Sequence, residues 1–187
     1  MKKLNNLLER YLGEQVALEE QLCTVIEQQI ADVDETNFPE ARNVLIKTKD
    51  VLERHFQPLN GLLDKLDQEK FDSKKKGFPL RAVDISGGSA DEKNRQVSVM
   101  LRDNYSLLNL IAIGNSVLHT TALALDHKDA ALLALEHLKD LTPLVSRIVE
   151  IIPHIVAREL STQSERIDPA VGQIAGENLL SVWRVSN

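Results

Sequence analysis

Apolar residues recur along this chain at steps of three and four, the spacing that lines one face of a helix. The first helix is predicted from about Leu4 to Val33, with Leu8, Leu12, Leu22, Ile26, Ile30 and Val33 on its stripe. Gln15 and Glu19 are polar members of the same series. Asp34 to Asn37 reads as a turn, and Pro39 suits the first turn of a second helix. That helix is predicted from Pro39 to about Leu66, with Ala41, Leu45, Thr48, Leu52, His55, Leu59, Leu62 and Leu66 inward and a kink expected at Pro58. A third runs from about Glu92 to Leu125, with Val97, Leu101, Leu108, Ile111, Leu118, Ala122 and Leu125 on its stripe and Asn104 and Asn115 in the series. A fourth runs from about Ala130 to Leu160, with Asp129 as its expected cap and bends at Pro143 and Pro153.

Between the second and third helices lies a long connection, about Asp67 to Asp91, carrying Lys74-Lys75-Lys76, Gly77, Pro79 and Gly87-Gly88. Its stretch from Phe78 to Ile85 suits an extended path along the helices. Connections this long are uncommon in a compact domain, and this one permits a crossover along the full length of a bundle. The stretch Leu52-Glu-Arg-His-Phe-Gln-Pro-Leu resembles His137-Leu-Lys-Asp-Leu-Thr-Pro-Leu about 85 residues on, which suggests two helical hairpins related by duplication. The chain therefore divides into a helical domain, residues 1–160, and a tail, residues 161–187. In the tail Ile174, Leu179, Leu180, Val182 and Trp183 are placed to form one short amphipathic helix that docks on the domain or on a partner.

Composition narrows the class. Aromatic content of 4% is low for a β domain, where aromatics support strand pairing, and the fold class is all-α. A net charge of -6 gives no pull toward nucleic acid, and the lysine run reads as a solvated loop. No window approaches the roughly 18 apolar residues of a membrane span, and the start is broken by Glu9, Arg10 and Glu14, unlike a signal peptide. The expectation is a cytoplasmic protein without membrane or nucleic-acid partners. Cys23 is the single cysteine and reads as a small buried apolar group.

Two long hairpins joined by a long crossover resemble the ferritin-like superfamily. The segments Phe38-Pro-Glu-Ala, Val51-Leu-Glu-Arg-His-Phe-Gln-Pro-Leu, Leu118-His-Thr-Thr-Ala-Leu-Ala-Leu, Leu141-Thr-Pro-Leu-Val and Ile152-Pro-His-Ile-Val-Ala-Arg-Glu-Leu are similar to uncharacterised bacterial proteins of that kind, some fused to a DJ-1/PfpI-like domain. The resemblance spans about Leu4 to Leu160 and implies a four-helix bundle with a long crossover between helices two and three. It also implies a two-metal carboxylate centre built from Glu-x-x-His pairs, whose members share a helix face. This chain lacks that motif. Leu52, Ser116, Ala124, Ala134 and Ile151 stand three residues before His55, His119, His127, His137 and His154.

What remains is polar residues at core spacing. Counting back from a turn near Asn37 puts His55 level with Glu19 or Glu20, and counting from His127 puts His119 level with His137. His137-x-x-Asp140 has the spacing of two ligands on one face. Glu19, His55, His137 and Asp140 are the candidate metal ligands, with iron or zinc as the cofactor. The competing reading is a buried charged hydrogen bond that fixes helix register, with no cofactor and no catalytic residue. Three functions follow. One is a non-catalytic structural or interaction module, tied to stress, working as a homodimer through Leu7, Tyr11, Leu18, Val25 and the tail. A second is a metal-binding protein with a nonstandard site. The third is a regulator that binds a small apolar ligand at the kinks made by Pro58 and Pro143. Fold alone does not choose between them.

Overall fold

The computed structural model describes residues 2–68, 96–164 and 167–185. Among them are five helices and no strand: α1 (Lys2–Asp32), α2 (Pro39–Gln68), α3 (Val97–Ala124), α4 (Lys128–Gln163) and α5 (Val171–Val185). The fold class is all-α, as the periodicity predicts. Asp67 and Gln68 belong to α2. The rest of the predicted connection, with its lysines, its Phe78 to Ile85 stretch and its glycines, lies outside the described residues.

Local chemistry explains where the helices stop. Asp34 accepts hydrogen bonds from the Thr36 and Asn37 backbone N–H groups at 2.8 and 3.4 Å, an Asx turn that closes α1 against α2. The Thr36 bond, first among these, holds the Asp34 carboxyl below its ordinary range. Arg158 of α4 clamps this turn. It donates to the Asn37 carbonyl and, at 3.0 and 3.1 Å, to both oxygens of Glu40. At the other turn, Asp126 takes a left-handed φ of 55°, and the His127 N–H reaches back to the Ala122 carbonyl at 2.8 Å. The cap of α4 is His127, whose ring accepts from the Ala130 N–H; Asp129, expected in that role, lies within the helix. The helices α2 and α4 continue through Pro58, Pro143 and Pro153.

α1 packs on α2 and α3, and α4 packs on α2, α3 and α5. Their apolar stripes form two clusters at different heights. One gathers Leu22 to Val33, Ala41 to Leu52, Val97 to Ile111 and Leu141 to Ile155. The other gathers Leu8 to Val16, Leu59 to Leu66, Leu118 to Ala122 and Ala130 to Ala134. Read in chain order, α1 and α4 pass from the second cluster to the first, and α2 and α3 pass from the first to the second. α2 and α3 are therefore parallel, with Leu66 and Val97 at opposite ends of the core. The gap between the clusters falls at Glu19 of α1, His55 of α2, Asn115 of α3 and His137 of α4, all buried.

Three expectations need correction. α3 is long and apolar enough to cross a membrane by length and composition, with mean hydropathy 1.4 over its best window. From Asn104 to Leu125 it has no charged residue, since its polar positions are Asn, Ser, Thr and His. Its stripe from Val97 through Leu118, with Asn104 and Asn115 in it, is buried against its neighbours, while 33% of the best window as a whole is buried. The tail does form a helix that docks on α4, but it docks through its glycines. A Cβ at Gly172 would lie 3.0 Å from the Ala157 Cβ and the His154 Cα, so a side chain there would force the two helices apart by a few tenths of an ångström. Val171, Ile174, Leu179 and Val182 point outward. Leu7, Tyr11, Leu18 and Val25, expected to form a surface patch, are half-buried, and the exposed apolar row is Leu110, Ile113 and Val117 of α3.

Candidate functional site

The polar layer is built around Glu19. Its carboxylate is completely buried, which is costly for an ion unless hydrogen bonds or a counter-charge offset the lost hydration. Gln15, one turn earlier, donates from Nε2 to Glu19 Oε1 at 2.9 Å and to the Ile111 carbonyl at 3.1 Å. The Gln15 amide fits because position 114 has no side chain. A Cβ there would stand 2.3 Å from Gln15 Oε1.

The other carboxylate oxygen, Oε2, meets His55 Nδ1 at 3.0 Å. Of the two residues the turn count left open, the structure thus selects Glu19; Glu20 faces solvent. His137 comes from α4 and stacks on His55 with ring centroids 3.6 Å apart and planes 5° from parallel. Its Nδ1 lies 4.0 Å from Glu19 Oε1. Burial, and then the neighbouring His55, push the His137 pKa down to about 3, so the imidazole is neutral at physiological pH. Two ring nitrogens in the layer are buried without a hydrogen-bond partner, His55 Nε2 and His137 Nδ1. Native proteins rarely leave such groups unsatisfied, and each one calls for an explanation.

Among the described residues, Glu19, His55 and His137 form a group whose ligand atoms lie within 4.8 Å of one another. Asp140 stands outside this group. Its Oδ2 is 3.6 Å from His55 Nε2, too long for a hydrogen bond, and 3.6 Å from the Arg54 guanidinium at the surface. The structure thus brings together three of the four candidate residues and sets the fourth behind His55.

Two nitrogens and one carboxylate oxygen suit zinc or another first-row divalent ion better than calcium or magnesium, which take oxygen ligands. At bond lengths of about 2.0–2.2 Å a tetrahedral ion holds its ligand atoms about 3.4 Å apart, so a spread of up to 4.8 Å has to contract by more than an ångström. The ring stack needs a larger adjustment. Imidazole lone pairs lie in the ring plane, so one ring has to tilt toward the other for both to reach a single ion.

The remaining histidines are elsewhere. His119 gives Nδ1 to the Ala131 carbonyl at 2.7 Å, so it sits nearly two turns from the expected level of His137. The counted register failed because the α3–α4 turn centres earlier than His127. His127 caps α4, and His154 is exposed. Cys23 is buried, which raises its thiol pKa, as suits an apolar role. Gln15 and Asn115 belong to the layer and were visible in sequence only as polar residues on apolar stripes. Asn115 donates to the Ile111 carbonyl at 3.2 Å and leaves its Oδ1 unpartnered. No family model, curated protein or solved structure matches this chain.

Proposed function

We propose that this chain is a ferritin-like four-helix bundle that binds one divalent transition-metal ion, of the zinc or iron class, through Glu19, His55 and His137. The observation that carries the reading is the convergence of these three side chains, from three helices, at one buried level where His137 Nδ1 has no protein partner among the described residues. A cation there offsets the charge of a carboxylate whose hydrogen-bond partners among the described residues are Gln15 and His55. The neutral state of His137 is the ligand form. The group holds one carboxylate, so the stoichiometry is one ion and the two-metal chemistry of the ferritin-like family is not carried over. The parallel run of α2 and α3, with their junction ends at opposite heights, supports the crossover of that superfamily.

Elemental analysis of untagged, chelator-free protein, with calorimetric zinc titration of stripped protein, tests this. One ion per chain is expected, lost in Glu19→Gln and in His137→Leu. Absence of uptake by folded wild-type protein refutes the proposal. In that case the second reading stands, a structural or interaction module. It is favoured by the parallel ring stack and the Glu19–His55 hydrogen bond, which close the layer without an ion.

A further inference from the structure

The two nitrogens of His55 face two carboxylates, Glu19 Oε2 at 3.0 Å from Nδ1 and Asp140 Oδ2 at 3.6 Å from Nε2. A neutral imidazole carries one N–H, and an ionised carboxylate only accepts. With Glu19 as carboxylate, the hydrogen is on Nδ1. The Nε2 lone pair then faces Asp140, and this explains both the 3.6 Å gap and the unpartnered Nε2. Arg54 contacts the same Asp140 oxygen at 3.6 Å, so Asp140 has a surface partner of its own.

Resting on the metal-binding reading above, the geometry points to a tautomer switch: loading the site moves the His55 hydrogen from Nδ1 to Nε2, where Asp140 receives it. The ion bonds to the Nδ1 lone pair, which requires that the Nδ1–H bond be broken. The proton reappears on Nε2, so the exchange releases no net proton. The new N–H turns two facing acceptors into a donor and an acceptor. Asp140, with its side chain 43% exposed, has room to close from 3.6 Å to a hydrogen bond of about 2.8 Å. Asp140 is thus a positioning residue that acts on the ion through His55, as carboxylates behind metal-bound histidines do. Arg54 opposes it, because an Asp140 drawn to Arg54 is withdrawn from His55.

Zinc is diamagnetic, so the switch is readable in the full-length wild-type chain. Long-range proton–nitrogen correlation spectra of ¹⁵N-labelled protein identify which His55 nitrogen bears hydrogen. The expected result is Nδ1–H in stripped protein and Nε2–H after one equivalent of zinc. Asp140→Ala lowers zinc affinity about 10- to 100-fold. Arg54→Gln raises it a few-fold, and that gain vanishes in the Asp140→Ala background. A merely structural Asp140 would not move the tautomer signals or couple to Arg54. Zinc uptake indifferent to Asp140→Ala, or zinc held on His55 Nε2, overturns this inference while leaving the metal reading intact. A wild-type chain that takes up no zinc overturns both.

Discussion

Acid should weaken this fold through His137, and the size of the effect follows from its burial. In the folded chain its pKa is pushed from 6.5 down to about 3; in the unfolded chain it returns to the ordinary value. Between those limits the unfolded state holds a proton that the folded state does not. Stability therefore rises with pH across the window and is lost as pH falls below about 6.5. Each unit is worth about 1.4 kcal/mol, so roughly 3 kcal/mol is lost by pH 4 and at most about 5 by pH 3. That is a large part of the 5–15 kcal/mol typical of a domain. The assay is urea unfolding of stripped protein at pH 7, 5.5 and 4, for wild type and for His137→Leu. Leucine keeps bulk and removes the titrating ring, and no hydrogen bond is lost at Nδ1. Carboxylates elsewhere titrate in both proteins and cancel in the difference. The wild type should lose about 3 kcal/mol more than the variant between pH 7 and pH 4. Parallel curves for the two proteins would refute the reasoning, because they would mean that His137 is not held neutral by burial.

Gly114→Ala should cost about 1–2 kcal/mol in urea unfolding despite alanine's better helix propensity, because the new methyl displaces the Gln15 amide from Glu19 and Ile111. In a Gln15→Ala background the same change should stabilise instead; equal effects in both backgrounds would count against the contact. Glu159→Ala should cost about 1–3 kcal/mol, since the buried Glu159 carboxylate accepts from the Ser98 N–H and hydroxyl and caps α3, where Gln96 makes no side-chain cap. An unchanged midpoint would show that α3 needs no such cap. Light scattering at micromolar concentration should give a dimer mass that Ile113→Glu with Val117→Glu reduces to the monomer, because that row is apolar, exposed and uncharged. A strictly monomeric wild type rejects self-association.

The helices were legible in the sequence because a 3.6-residue period survives in any tertiary context. The pairing of Glu19 with His55 was legible too, since the two lie on one hairpin and their register is counted through a short turn. The same counting failed for His119, where a shift in the turn centre moved it to Ala131. Nothing in the sequence placed His137 against His55, because that contact crosses from one hairpin to the other and depends on how four stripes interlock. The tertiary structure alone put Asp140 behind His55 rather than beside Glu19, and turned α5 so that its glycines face inward. Periodicity assigns each residue a face. Which residues share a height depends on long-range packing, and a site made from several helices exists only at a shared height.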